Sequence, residues 1–335
     1  MRLEELGEFG LIARLRRRWQ GQKMPGVVVG SGDDAAVLSS PGPGNVLLLT
    51  TDTMVEGIHF RRSWMSPEDL GWKAMVQNLS DIAAMGGQPR HAVVTVGVCR
   101  DIDVEFMDSL VDGLDSCATR YGASIVGGDL VKSPDALFVS IALTGQARAD
   151  RVLRRSGAKP GQVLLVTGEL GASAAGLAAL ERGEASRFPA AVHAHLRPEP
   201  RLDAAQVFAQ SGLAASAIDI SDGLSGDATR LAEESGVGIR INLADVPVAH
   251  SCREVAEWLS VDAAEMALRG GEDYELLFTA NADRVDEVRR LLRHQAGVVA
   301  YAVGEVVEKE QGLRAVKPDG AHVALGFGHD HFAGK

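Results

Sequence analysis

The stretch Ala215-Ser216-Ala217-Ile218-Asp219-Ile220-Ser221-Asp222-Gly223 runs from apolar residues into carboxylates, a hydroxyl and a glycine. A short apolar run closed by such residues reads as a buried strand, here over 215–220. Leu224–Ser235 follows with helical spacing, and Val237–Asn242 reads as the next strand. A strand, an acidic loop, a helix and a strand define an α/β unit, and such units bind ligands beyond their strand ends.

The same alternation extends outward. Downstream, Leu276–Thr279 reads as a strand and Asp283–His294 as a helix. Upstream, the strand Val163–Val166 leads through the tight loop Gly168–Gly171 into a small-residue helix, Ala172–Leu180. Earlier still, strands at 34–38, 45–51, 92–98, 123–126 and 137–144 alternate with helices at 67–85 and 104–121. A first amphipathic helix is expected over Glu8–Trp19, its three arginines Arg16–Arg18 solvated at the dipole's negative end. The basic stretch Gln146–Gly161 interrupts the pattern and reads as a border. Two α/β domains are expected, 1–148 and 149–335, in keeping with ~100–200 residues per domain.

Composition narrows the function. Formal charge is −11, which disfavours extended contact with nucleic acid or an anionic membrane surface. No apolar run approaches the ~18 residues of a membrane span. Met1–Glu5 opens no apolar leader. Cys99, Cys117 and Cys252 are too few and too scattered for a disulfide framework, which points to the cytoplasm.

The distinctive feature is the placement of Asp. It falls in Gly32-Asp33-Asp34, Thr50-Thr51-Asp52-Thr53, Gly127-Gly128-Asp129 and Asp219-Ile220-Ser221-Asp222, each read as the end of an apolar strand. Asp81 joins them from the helix at 67–85. One Asp beside a Gly is most simply a turn or cap. Five such sites shift the balance, because clustered carboxylates repel unless protonated or bridged by cations. Hard oxygen donors select Mg²⁺ over softer metals, and Mg²⁺ among carboxylates points to a phosphate substrate such as ATP. No Gly-x4-Gly-Lys-[Ser/Thr] loop and no protein-kinase signature occurs, so an ATP site here is of another kind.

In this order the Asp motifs resemble those of the thiamine-monophosphate kinase family. Its superfamily includes aminoimidazole ribonucleotide synthetase, selenophosphate synthetase and a hydrogenase-maturation dehydratase. The likeness begins at Leu6-Gly7-Glu8-Phe9 and continues in Thr51–Phe60, Asn78–Gly86, Arg155–Gly161, His195–Arg201, Ile218–Leu224 and Gly270–Leu276, closing at Asp330-His331-Phe332. It implies an aminoimidazole ribonucleotide synthetase-like α/β (α+β type) fold of two domains, with N-terminal domains pairing in a homodimer. It also implies transfer of a phosphoryl group from ATP to thiamine monophosphate with several Mg²⁺ ions. The N-terminal domain, 1–148, would hold ATP and Mg²⁺ and form the dimer.

Matching positions imply roles. Asp34, Thr50, Thr51, Asp52, Asp81, Asp129, Asp219 and Asp222 would hold metal. Val111, Gly128, Asp129, Arg155 and Ser221 would contact ATP. His59, Glu272 and His329 would contact the thiamine substrate. No residue is expected as a general base, because a phosphate acceptor with a second pKa near ~6 is already largely dianionic. Two positions depart from the family. Val111 stands where some relatives carry an aromatic ATP contact, and His329 where Tyr or Trp is usual, with Phe327 and Phe332 nearby. His195 is read as structural, and packing and inter-domain ion pairing are expected of Arg197 and Arg201 around Pro198 and Pro200. Two alternatives remain at this point: another ATP-using enzyme of the superfamily, such as the ribonucleotide cyclo-ligase, and a non-catalytic cation- or nucleotide-binding protein. The selenophosphate and hydrogenase-maturation activities need a reactive Cys in 26–32 or at the C-terminus, and neither place has one.

Overall fold

The computed structural model describes residues 26–29, 33–40 and 42–326. The expected helix at 8–19, the motif Leu6–Phe9, and Phe327, His329 and Phe332 lie outside the described residues.

A six-stranded sheet has the order β1-β2-β3-β6-β4-β5. Its strands are β1 (Val27–Val29), β2 (Ala36–Ser39), β3 (Asn45–Val55), β4 (Gln88–Val98), β5 (Ser124–Lys132) and β6 (Phe138–Arg148). Strands β3 and β6 pair antiparallel over their whole length, from Asn45↔Arg148 to Val55↔Phe138. The parallel pair β4–β5 needs a crossover, which is the helix α2 (Val104–Arg120).

Helix α1 (Pro67–Ala84) begins at Ser66, whose hydroxyl accepts from Asp69 N at 3.1 Å, with Pro67 in the first turn. It is buried almost all round, including Lys73, Asn78 and Ser80. A helix of that kind lies inside a molecule rather than on it. It touches α2 backbone to backbone. A Cβ on Gly71 would sit 2.2 Å from Leu110 O, and one on Gly113 2.0 Å from Glu68 O.

The second sheet has seven strands in the order β13-β12-β9-β11-β7-β10-β8. They are β7 (Val163–Thr167), β8 (Ser216–Asp219), β9 (Gly238–Asn242), β10 (Leu276–Ala280), β11 (Ala300–Val307), β12 (Leu313–Val316) and β13 (His322–Ala324). All pairings are antiparallel except β9–β12. Helices α3 (Ala172–Glu181), α4 (Pro189–Leu196), α5 (Leu202–Ser211), α6 (Leu224–Ser235), α7 (His250–Leu259), α8 (Ala263–Arg269) and α9 (Val285–Leu291) surround it.

One apolar core runs from Leu48, Met54 and Ile141 of the first sheet through α1 to Phe208 of α5 and to Leu276 and Phe278 of the second. Phe208 and Phe278 pack ring against ring, tilted by 46°, at 4.6 Å between centroids. Each fully buried aliphatic side chain there contributes about 1.5–3 kcal/mol. A second core fills the far side of the seven-stranded sheet, around Ile218, Leu231 and Ile241.

Two strands run longer than the sequence pattern indicates. Asp52 lies inside β3, and Asp129 inside β5, rather than at strand ends. Strand β5 continues through Gly127-Gly128 because a Cβ at Gly128 would meet Val94 O at 2.0 Å, so glycine lets β4 approach.

Candidate active site

The carboxylates converge through the pleat of β3 and the pitch of α1. Thr50 and Asp52 are two residues apart on β3 and share its buried, helix-covered face with Leu48 and Met54. Asp81 lies in the last turn of α1, and Thr50 Oγ1 donates to its Oδ2. Next to it, Ser80 Oγ donates at 2.7 Å to Asp219 Oδ2, which ends β8 in the other sheet. Carboxylate oxygens of Asp34, Asp81 and Asp219 all lie within 4.8 Å of one another. Burial raises Asp52 above its ordinary value, and Asp222 and Asp34 raise it further. Burial also raises Asp81 well above its ordinary value, with Asp52, Asp219 and Asp34 adding to the effect. Asp219 is likewise raised well above, by burial first and then by Asp34 and Asp227. Such a group of hard oxygens, unable to ionise together, fits divalent cations.

Two arginines balance part of the charge. Arg155 makes a two-pronged pair with Asp34, and its backbone N donates to Asp33 Oδ1 at 2.6 Å. Arg230 lies 2.5 Å from Asp222 and 2.8 Å from Asp227. Asp227, in the first turn of α6, accepts from the backbone N of Ser221 and of Asp222 at 3.1 and 3.0 Å. It thereby shapes the acidic turn.

The substrate candidates gather next to this cluster. His59 sits in the turn after β3, where its Nδ1 accepts from Val55 N at 3.1 Å. Glu272 has a left-handed backbone, φ 65°, and its N donates to Ser221 O at 2.8 Å. Burial alone would raise the Glu272 carboxyl, but Lys73, then His195 and His59, outweigh it, and it sits below its ordinary value.

Other expected residues stand apart. Thr51 Oγ1 donates at 2.8 Å to Ile141 O. By strand alternation its side chain lies on the opposite face from Thr50 and Asp52. Asp129 is on that opposite face too. The row Asp52–Ile141–Val94–Gly128 crosses the sheet, and the next row is Thr53–Ser140–Thr95–Asp129. Thr53 and Ser140 hydroxyls meet at 2.7 Å on the uncovered face. Three strand spacings, roughly 14 Å, separate the strand of Asp129 from that of Asp52. Val111 is exposed on α2.

Sequence reading missed Lys73, His195, Asp227 and Arg230 as parts of this centre. The one basic residue of helix α1 was a usable signal for the first. Arg197 does reach across to Glu68 and Asp69 at 3.0 and 3.4 Å. Arg201 instead pairs within its own half, with Glu275, which leaves packing rather than inter-domain pairing as its part of the expectation. That pair is local because Glu275 lies at the start of β10, alongside Thr167 of β7, whose hydroxyl it accepts at 2.6 Å.

Comparison with known proteins places this architecture. Residues 32–147 match the N-terminal domain of AIR synthase related proteins, and residues 159–316 match their C-terminal domain. The two halves of the chain are thus those of the AIR synthase related class. The chain is 38% identical over 332 residues to thiamine-monophosphate kinase of Escherichia coli strain K12, covering 98% of each chain. It is 36% identical over 314 residues to that of Aquifex aeolicus, covering 92% of this chain and 98% of the relative. The solved structure of AaThiL complexed with AMPPCP and TMP superposes with a TM-score of 0.85 at 35% identity, covering 99% of both chains. Within its class the chain belongs to the thiamine-monophosphate kinase family, and it is a phosphotransferase.

Proposed function

We propose that this chain transfers the γ-phosphoryl group of ATP directly to thiamine monophosphate, yielding ADP and thiamine diphosphate. The observation that carries the reading is the meeting of Asp34, Asp52, Asp81, Asp219 and Asp222, from four separate stretches, where β3 and the last turn of α1 meet the end of β8. The relative bound to AMPPCP and TMP supports both substrates.

The acceptor phosphate is largely dianionic at neutral pH, so no side chain has to remove a proton. The obstacle is repulsion between the acceptor and the triphosphate. Asp34, Thr50, Asp52, Asp81, Asp219 and Asp222 would hold Mg²⁺, with Thr51 and Asp129 as further candidates on the opposite face. Several such ions would supply the positive charge that lets two polyanions meet in line. Arg155 adds a fixed positive charge and, with Gly128, Ser221 and Val111, forms the ATP side. His59 and Glu272 form the thiamine side, where a carboxylate suits a cationic thiazolium; His329 completes that side.

The domain border is proposed at 148/149, where β6 ends. Pairing of N-terminal domains is proposed because the uncovered face of the first sheet presents Leu49, Val93 and Val131 to solvent. A cytoplasmic location accords with three free, buried cysteines, and among the described residues no helix is long and apolar enough to cross a membrane.

The test is incubation with ATP, Mg²⁺ and thiamine monophosphate, with ADP and thiamine diphosphate measured together in equal amounts. Mg-ATP binding without either product would favour the non-catalytic alternative.

A further inference from the structure

The described structure buries one lysine at the junction of its two halves. Lys73 lies on α1 with no exposed side-chain surface, and its Nζ is 2.9 Å from Glu272 Oε1. His195 of α4 lies behind the pair. Its ring nitrogens are 3.4 and 3.5 Å from Lys73 Nζ, and its Nδ1 is 3.5 Å from Glu272 Oε2. Ser173 of α3 fixes that ring from the far side, Oγ to Nδ1 at 3.0 Å.

Glu272 itself is not sealed. Its side chain is 26% exposed, while Lys73 and His195 are 0% and 3% exposed. The carboxylate is therefore gripped from the protein side and open on the other. Its left-handed backbone is a conformation that side chains other than glycine rarely adopt, and such conformations persist where the surroundings impose them. Here the surroundings are the bond from Glu272 N to Ser221 O and the Lys73 pair.

We infer that Lys73 is a positioning residue: from the N-terminal half it holds the Glu272 carboxylate of the C-terminal half aimed at the bound thiamine moiety. This rests on the reading of Glu272 as a substrate contact. Lys73 does not touch the substrate. It acts by fixing one rotamer of a side chain that would otherwise swing, and by making that side chain's position depend on the two halves being docked.

The test uses the full chain in steady-state assays of Lys73→Met, Glu272→Gln and the double variant, with KM measured separately for thiamine monophosphate and for ATP. Methionine keeps the length and the apolar stem of lysine; should Lys73→Met not fold, Lys73→Gln takes its place in the same comparison. The expected result is a rise of roughly tenfold or more in KM for thiamine monophosphate, with KM for ATP within about twofold. In the Glu272→Gln background, loss of Lys73 should add little, because the two act as one unit. A general loosening of the fold would raise both KM values together, and that outcome overturns the inference. So does additivity in the double variant, or an unchanged KM for thiamine monophosphate in folded Lys73→Met when Glu272→Gln raises it. If Glu272→Gln itself has no effect, the substrate-contact reading falls and this inference falls with it.

Discussion

Arg155 grips Asp34 with two prongs, Nε at 3.1 Å from Oδ2 and Nη2 at 3.0 Å from Oδ1. Asp34 belongs to the start of the first sheet, and Arg155 to the segment that leads into the second. Asp34 has no exposed side-chain surface, so its charge is met by protein or by ions. Loss of the guanidinium would leave a buried carboxylate beside three others. Arg155→Met should therefore cost roughly 3 kcal/mol in a chelating buffer and distinctly less in millimolar Mg²⁺, where ions replace the lost charge. Denaturant melts under the two conditions measure this directly. Equal losses with and without Mg²⁺ would show that the pair is only packing.

Asp52→Asn should separate stability from activity. Burial, Asp222 and Asp34 all oppose ionisation of Asp52 in the folded chain. A neutral amide removes that repulsion, so melting in chelator should stay level or rise by about 1 kcal/mol. Turnover should fall by ~10²-fold or more through loss of metal charge, and Asp222→Asn should show the same loss of turnover. Wild-type kcat in either variant at saturating Mg²⁺ would refute the metal role.

The opposite orientation of Asp129 predicts two classes of metal site in one chain. The cluster around Asp81 lies where α1 and β3 meet the end of β8, buried at Asp34 and Asp219 and half-buried at Asp81, whereas Asp129 lies on an edge strand and on the uncovered face. Titration with Mn²⁺ as a spectroscopic probe should resolve a class removed by Asp81→Asn and another removed by Asp129→Asn. Loss of all binding on changing Asp129 alone would mean that the two carboxylates share an ion, contrary to the roughly 14 Å between their strands.

Much of this centre was legible in the chain before any coordinates. Helix 224–235 and the strand of 163–166 declared themselves by period and by bounding glycines, and the Asp motifs pointed to Asp34, Asp52, Asp81, Asp219 and Asp222, but also to Asp129, which stands apart, and not to Asp227. What was not legible depends on contacts distant in sequence. The segments 189–196 and 202–211 are rich in alanine, and their helical state rests on burial against Lys73, Trp72 and the second sheet rather than on a clear apolar stripe. Lys73 drew no reading and His195 only a structural one, because the two residues, 122 apart in sequence, meet only when the two halves dock. The face on which Asp129 lies is set by the register of β4 on β5, including the irregularity between Ala92 and Val93, and no local pattern reveals that shift.

The contact between α1 and α2 predicts a stability effect far from the chemistry. Gly113→Ala would place a methyl group 2.0 Å from Glu68 O, which only a shift of one helix can relieve. The expected cost is about 1–3 kcal/mol, read as a lower melting temperature. Because α1 carries both Lys73 and Asp81, the shift should also raise KM for both substrates. A variant as stable as the wild type would contradict the close helix contact.

His195 sets a pH dependence whose sign follows from its burial. Burial, and then Lys73, lower its folded value to about 3, from an ordinary 6.5. Between those values the unfolded chain binds a proton at this ring and the folded chain does not. The stability that neutral His195 permits is therefore fully present above 6.5 and is lost as pH falls below it, by up to about 1.4 kcal/mol per unit. Asp273, raised to about 7 by burial, works in the opposite sense, since the folded chain takes up that proton first as pH falls. The two are separated by comparing wild type with His195→Asn, which keeps Asp273. At pH 7.5 the variant should be less stable, having lost the bonds to Ser173 and the contact with Glu272. The gap should narrow steadily toward pH 5, since only the wild type then bears the cost of a neutral buried imidazole. Denaturant melts of both proteins at half-unit intervals measure the gap, and a difference that stays constant from pH 7.5 to 5 would mean that the ring is protonated inside the folded chain.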